Sequence, residues 1–401
     1  MQLNEVCDFI IDCPHSTAVD EGEGYPLIRT PNIGKGRLLL DGVHRVSEQI
    51  YLDRNARGTP QDGDLIFARE APAGNVAVIK NGEKVCLGQR TVLIRPNPQK
   101  ANPIYLAYYL LQPEQQYKLV GSANGSTVAH VNLPTIRNLK INLPDLNTQN
   151  QIANILSAYD DLQECNIQKI TTLELLLEQL YKKWFIKFNF DGYETTTFKN
   201  GIPEDWKEIK FSEILSFERG ISYSSEEIDC DEGLNLINLK NIDAFGGFRR
   251  DGTKKYNGKY KESQVVKTGD LVIGVTDMTQ DRRTVGAAAL IPTIEGLSVI
   301  SADLVKVVSD VPNIYLYSLC RYGFYSKYFS QFANGANVLH LKPGALLNKK
   351  LLLPTKDLID AFVEKASTII ELIDELNLAN DNLIKQRDLL LPRLMSGKLE
   401  V

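Results

Sequence analysis

The chain has 401 residues, 43% hydrophobic and 24% charged, with a net charge of −5. That length predicts two or three domains, and the composition excludes a disordered or collagen-like chain. No apolar run approaches the roughly 18 residues of a membrane-spanning helix, and the start, MQLNEVCDFIID, lacks the basic-then-apolar pattern of a secretory leader. Six scattered cysteines with no C-x-x-C pair read as buried, reduced thiols of a cytoplasmic protein.

Residues 1–144 are mixed. The β-rich runs DLIFA, NVAVI and RTVLIRP alternate with Gly, Pro, Asn and Asp turns, and the helical run PIYLAYYLLQ follows. Residues 145–190 differ: from Leu146 to Phe185 there is no Gly or Pro, and Asn147-Thr148 signals a helix start. Apolar residues recur at Ile152, Ile155, Tyr159 and Leu162, then at Ile170, Leu173, Leu177, Leu180 and Trp184. Steps of three and four predict a coiled-coil seam. Residues 191–210 are polar and turn-rich, and read as a linker.

Residues 211–354 are again mixed, with DLVIGV, AAALIP and ADLVKVV as strands and IYLYSLCRYGFYSKYF as a helical run. Residues 355–401 hold a second long helix from about Asp357 to Leu391, where Pro392 intervenes; its seam is Ile373, Leu376, Leu383 and Leu390. Asn166 and Asn380 sit on the two seams. Each either points to solvent at a seam edge or is buried where it fixes register.

The second half repeats the first at an offset of about 210 residues. Ala123, Asn124, Gly125, Val128 and His130 face Ala333, Asn334, Gly335, Val338 and His340, and DGDLIF (62–67) faces TGDLVI (268–273). LIRTPNI (27–33) faces LINLKNI (236–242), and NLKINLP faces NKKLLLP. Leu3, Glu5, Val6 and Phe9 face Phe211, Glu213, Ile214 and Phe217, so the first copy lacks a lead-in equivalent to GIPEDWKEIK. The expected fold is α+β: two mixed domains separated by two long antiparallel coiled-coil helices, in an internal two-fold pseudo-repeat.

No phosphate loop, G-x-G-x-x-G, H-E-x-x-H, base-flipping methyltransferase or nuclease pattern is present, which points away from an enzyme. His130 and His340 read as packing or capping residues before the long helices. What is present is polar and basic loops at matching places. Arg29 and Asn32 lead to Lys35 and Arg37 in the first copy; Asn238, Lys240 and Asn241 lead to Arg249 and Arg250 in the second. From 249 to 261, RRDGTKKYNGKYK holds Arg249, Arg250, Lys254, Lys255, Lys259 and Lys261 against Asp251, interleaved with Tyr256 and Tyr260. Arg69, Gln89 and Arg90, and Arg282 with Arg283, extend the set of candidate DNA contacts. Cations of this kind bind phosphates, and Arg, Asn and Gln read base edges. A solvated basic loop is the alternative for any single one of them.

The junction GSTVAHVNLPTIRNLKINLPDLNTQNQIANIL and the tail LLLPRLMSGKLEV resemble specificity subunits of Type I restriction–modification systems. The resemblance extends to the duplicated layout of the whole chain. It implies two target-recognition domains, each reading one half of a split sequence in double-stranded DNA, and two helices that set the distance between them. It also implies docking of two methyltransferase subunits on the helices, with restriction subunits joining through those. The chain would then supply specificity without catalysis, while S-adenosylmethionine, ATP and magnesium belong to its partners. No contact residue carries over by motif.

A helix of 35–40 residues rises roughly 50–60 Å, more than the roughly 34–36 Å of one DNA turn. A bipartite target with an unread spacer is therefore expected. The competing reading is a coiled-coil scaffold protein without DNA readout, which leaves the paired basic loops unexplained. The charge is divided accordingly. Residues 1–144 carry 15 Lys/Arg against 14 Asp/Glu, and residues 211–354 carry 17 against 16. The acidity lies on the helical and linker segments, so weak DNA affinity is expected for the chain alone.

Overall fold

A computed structural model of the chain describes residues 1–80, 82–121, 130–228 and 230–401, and divides them into two compact units. The first is Met1–Glu164 with Asp381–Val401; the second is Cys165–Asn380. Each unit thus contains one mixed domain and one stretch of each long helix. The matched Ala123, Asn124, Gly125 and Val128 lie outside the described residues.

In the first unit the strands are β1 (Cys7–Asp12), β2 (Tyr25–Ile28), β3 (Leu65–Ala68), β4 (Val76–Val78), β5 (Cys86–Leu87) and β6 (Thr91–Pro96). Four form an antiparallel sheet in the order β1-β6-β3-β4. Its central strands are buried on both faces, because alternate side chains enter different cores. Leu65, Phe67, Val92 and Ile94 face one cluster; Ile66, Ala68 and Leu93 face another. The first cluster is completed by helix α1 (Pro103–Leu111), capped by the Asn102 side chain accepting from the Tyr105 N–H at 3.0 Å. β2 pairs in parallel with β5.

Helix α2 spans Leu146–Tyr181 and ends in a π turn, Lys182–Ile186. Asp145, rather than Asn147-Thr148, starts it: its carboxylate accepts from the Thr148 N–H at 3.1 Å. Within the first unit Ile152, Ala153 and Leu156 share a core with Leu390, Leu394 and Met395, and Asp160 pairs with Arg387. Residue numbers rise on one helix as they fall on the other, so the two segments run antiparallel there. The expected seam needs correction. Ile155 and Leu162 are 37% and 48% exposed, whereas Leu156 is fully buried.

In the second unit the strands are β7 (Lys207–Lys210), β8 (Leu215–Arg219), β9 (Leu234–Ile237), β10 (Lys254–Tyr256), β11 (Leu271–Gly274), β12 (Ala288–Leu290), β13 (Ser298–Ile300) and β14 (Leu304–Ser309). The main sheet is antiparallel in the order β8-β14-β11-β12. Again alternate side chains separate, Leu271 and Ile273 to one core and Val272 to another. β9 lies between β10, antiparallel, and β13, parallel. Helix α3 (Asn313–Tyr322) covers the sheet, and β15 (Lys350–Leu353) pairs with β7.

Helix α4 spans Lys356–Met395 and continues through Pro392, past the predicted end at Leu391. The proline removes one backbone donor near the helix end. Beyond it, Leu394 is buried in the apolar core of the first unit. In the second unit Phe362 of α4 packs against Tyr181 and Trp184 at ring separations of 6.0 and 6.1 Å. The predicted linker is also corrected. Trp206 is buried against Phe185, Phe188 and Phe190, and β7 belongs to a sheet.

All six cysteines are free thiols; Cys13, Cys86 and Cys320 are buried, Cys7 and Cys230 are half-buried, and Cys165 is exposed, against expectation. Among the described residues no helix is long and apolar enough to cross a membrane.

Candidate nucleic-acid interface

In each unit the strand β2 or β9 runs into a short 3-10 turn, Thr30–Asn32 or Leu239–Asn241. The turns are closed the same way. The Asn32 Oδ1 accepts from the Arg29 N–H at 3.1 Å, and its Nδ2 donates to the Leu39 carbonyl. The Asn241 Oδ1 accepts from the Asn238 N–H at 2.9 Å, and its Nδ2 donates to the Arg249 carbonyl and the Thr253 hydroxyl. The Asn238 side chain caps the Lys240 N–H and donates to the Gly252 carbonyl at 2.8 Å. These three asparagines are buried and fully engaged, so their expected role as base readers is corrected to that of pegs. Tyr256 is 1% exposed and its hydroxyl donates to the Lys259 carbonyl, which removes it as a stacking surface.

Three arginines are likewise occupied within the fold. Arg69 is buried; its guanidinium meets Asp12 at 2.6 Å, the Val131 carbonyl and the His130 ring. The arginine donates to His130 Nε2, which assigns the ring proton to Nδ1, facing Glu70 at 2.9 Å. His130 is therefore part of a charged network rather than a packing residue. His340, at the matched position, pairs through its backbone with Thr276 and Asn334. Arg37 reaches Glu164 of α2 at 2.6 Å, and Arg250 reaches Asp374 of α4 at 3.2 Å. The Arg250 pair is largely buried and holds its loop on the helix, whereas the Arg37 pair is a half-exposed surface contact.

The remaining candidates face outward or lie at the rim. In the first unit Lys35 is exposed, Gln89 donates to the His15 carbonyl, and Arg90 pairs with Glu70 while its side chain stays 61% exposed. Arg90 adopts a left-handed φ of 63°, which projects it at a tight turn. Arg29 is half-buried, and among the described residues its Nε has no acceptor. In the second unit Lys240, Arg249, Lys255, Lys259 and Arg283 are exposed, and Lys254 and Arg282 are half-buried. Lys255 donates to Asn235, Arg249 pairs with Asp251, Arg283 pairs with Asp281, and Arg282 donates to the Ser330 carbonyl. Exposed partners of this kind are weakly held and can exchange for phosphate.

Asp277 is an organiser that the sequence reading missed. It is 2% exposed, and its carboxylate accepts from the N–H groups of Thr279 and Thr284 at 2.8 and 2.7 Å. Burial works against its charge, but these hydrogen bonds hold the carboxyl below the usual carboxylate range. The loop it closes carries Arg282 and Arg283. The TD dipeptide after a buried strand, followed by Thr279 and Thr284, was the available signal. Among the described residues no cluster of three or more His, Cys, Asp or Glu is placed to hold a metal ion.

Residues 1–175 match the family described as the Type I restriction modification DNA specificity domain. Over 394 residues the chain is 26% identical to the Type I restriction enzyme MjaVIII specificity subunit of Methanocaldococcus jannaschii, covering 95% of this chain and 88% of that one. It is 22% identical to the HindI specificity subunit of Haemophilus influenzae, covering 94% and 95%. The crystal structure of the Type I restriction–modification S subunit from M. genitalium shares the fold, with a TM-score of 0.60 at 14% identity, covering 98% and 95%. Residues 1–175 thus match the Type I DNA specificity domain, and over nearly its whole length the chain is similar to specificity subunits of Type I restriction–modification systems.

Proposed function

We propose that each mixed domain reads one half of a bipartite DNA sequence, and that the chain is a duplication in which both domains use the same loops. The observation that carries this reading is the matching strand order of the two main sheets, each accompanied by the same asparagine-pegged turn with an exposed lysine beside it. Lys35 and Arg90 in one domain, and Lys240, Lys255, Lys259 and Arg283 in the other, are the contacts that would neutralise phosphates or reach base edges. The relatives are named as specificity subunits, which supports a role in choosing the site.

The long helices act as the spacer. Paired antiparallel as a coiled coil, they hold the two readers a set distance apart and offer their acidic outer faces to two methyltransferase subunits. Restriction subunits join through those, and S-adenosylmethionine, ATP and magnesium are bound by the partners. The chain itself performs no chemistry.

The test is to insert one heptad into both helices at matched positions. Seven residues add about 10 Å, or about 3 base pairs of spacer. Methylome sequencing should show both half-sites unchanged and the spacer lengthened. Altered half-sites would sink the spacer role. If fluorescence anisotropy of the assembled complex shows no sequence-selective DNA binding across a salt series, the chain is a scaffold instead.

A further inference from the structure

Arg37 and Arg250 follow the pegged turn in their units, and each reaches an acid on the long helix that follows its own domain. Glu164 and Asp374 stand at the same offset, about 210 residues, as the matched motifs. The second pairing is the more elaborate. Arg250 Nη1 donates to Asp374 Oδ1 at 3.2 Å, and Nη2 donates to the Thr293 carbonyl at 2.8 Å. The Thr293 N–H donates to Asp374 Oδ2 at 2.9 Å. Guanidinium, carboxylate and peptide unit therefore close a ring. Both charged side chains are largely buried, at 20% and 17% exposure, beside a cavity of about 560 Å³ floored by Ile170, Ile291 and Ile370.

The ring is tied directly to the outward cations. Arg250 opens a 3-10 turn, Arg250–Gly252, that runs straight into β10 with Lys254 and Lys255. That turn is laced to the one carrying Lys240: Asn238 holds the Gly252 carbonyl and Asn241 holds the Arg249 carbonyl. A Cβ on Gly252 would lie 2.6 Å from the Lys240 carbonyl carbon, so the two turns cannot slide past each other. A displacement of Arg250 against the helix would therefore carry Lys240 and Lys255 with it.

We propose that Arg250, Thr293 and Asp374 form a positioning clasp that transmits the setting of helix α4 to the readout loops of the second domain. Arg250 is thus a positioning residue for specificity rather than a DNA contact. This rests on the DNA-reading function proposed above. The carboxylate serves two donors at once, and such charge-assisted pairs gain strength and direction from partial burial. The counterpart Arg37–Glu164 is 43% and 47% exposed, so water competes for it and it holds its loop weakly.

The experiment uses the full chain assembled with its methyltransferase partners. Variants are Arg250→Ala, Asp374→Ala, Asp374→Asn and the exchanged pair Arg250→Asp/Asp374→Arg. Methylation sequencing gives discrimination at each half-site, and hydrogen exchange reports the Thr293 amide. Asp374→Ala should relax discrimination at the second half-site by about tenfold and leave the first unchanged, the effect of losing one charge-assisted bond. Exchange at Thr293 should quicken in parallel. The exchanged pair should not restore either, because it sets the guanidinium against the Thr293 N–H and the carboxylate against its carbonyl. Asp374→Asn, which keeps the shape, should fall between. Arg37→Ala should change the first half-site less than about twofold.

Wild-type discrimination and Thr293 protection in Asp374→Ala would overturn the clasp. So would an Arg250→Ala defect that neither Asp374 variant shares, since Arg250 would then touch DNA. If the unaltered complex binds and methylates without sequence preference, the DNA reading fails instead, and Thr293 exchange in the Asp374 variants still judges the clasp.

Discussion

The Nδ2 of Asn166 donates to the Oδ1 of Asn380 at 2.9 Å, with both side chains buried. Two seam asparagines thus find each other across the antiparallel segments of the second unit. Only this register pairs them. A slip of one turn would bury each amide against aliphatic neighbours, unsatisfied. Asn166→Leu should therefore lower stability by about 1–3 kcal/mol, because it leaves the Asn380 amide buried without a partner. The double substitution Asn166→Leu/Asn380→Leu should recover that loss or exceed wild type, as hydrophobic replacement of a buried polar pair often does. Urea unfolding of the three proteins decides it; a double variant no more stable than the single would refute the pairing.

A charged counterpart lies in the first unit. Asp160 of α2 accepts from the Arg387 guanidinium at 2.5 Å and from the Tyr108 hydroxyl of α1. It joins the first mixed domain to both helix segments at one point. Burial and the neighbouring Asp160 charge push the Tyr108 hydroxyl well above its ordinary range, so it remains a donor. Asp160→Ala should cost about 2–3 kcal/mol, since it leaves one guanidinium N–H and the Tyr108 hydroxyl without their acceptor while Arg387 keeps Asp388. Tyr108→Phe removes only one bond and should cost about 1 kcal/mol. Equal losses in thermal unfolding would show that Asp160 acts through packing alone.

Much of this fold was legible because it rests on periodicity. The short apolar runs in DLIFA and DLVIGV, bounded by turns, placed central strands, and the Gly- and Pro-free run after Leu146 placed α2. The seam phase was less legible: Ile155 and Leu156 are adjacent and similar, and only three-dimensional packing distinguishes them. The site was read least well, for one physical reason. Arg, Asn and Tyr suit a DNA surface, but they suit buried loop closure equally. Asn32, Asn241 and Tyr256 went inward because turns need hydrogen-bond partners, and Arg37 and Arg250 met helix acids that are distant in sequence. Trp206 was hidden by its polar neighbours, although an isolated Trp in a supposed linker was itself a hint of burial.

That division gives a direct contrast between pegs and contacts. Lys240→Ala and Lys259→Ala should leave thermal stability unchanged while weakening DNA binding by the assembled complex on all sequences alike. Each lost phosphate contact should reduce the slope of log affinity against log salt by about 0.9. Asn241→Ala should do the reverse at first order, lowering stability by about 1–3 kcal/mol through orphaned carbonyl and hydroxyl groups. Melting curves and anisotropy across a salt series, run on the same three variants, separate the roles. An unaltered salt slope in both lysine variants would remove these loops from the interface.

Acid sensitivity tests the loop that carries Arg282 and Arg283. The folded protein holds the Asp277 carboxyl below the ordinary carboxylate range, whereas the unfolded chain restores it. The charged form is therefore favoured by folding. Its contribution is fully present above the unfolded carboxylate range, near pH 4, and is lost as pH falls through the lower folded value. Asp277→Asn abolishes the titration and leaves one fewer acceptor for the Thr279 and Thr284 N–H groups. Wild type should melt higher than the variant at pH 7, and the gap should narrow steadily between about pH 5 and pH 3. A gap that stays constant over this range would mean that Asp277 stabilises the loop by shape, with its charge contributing nothing.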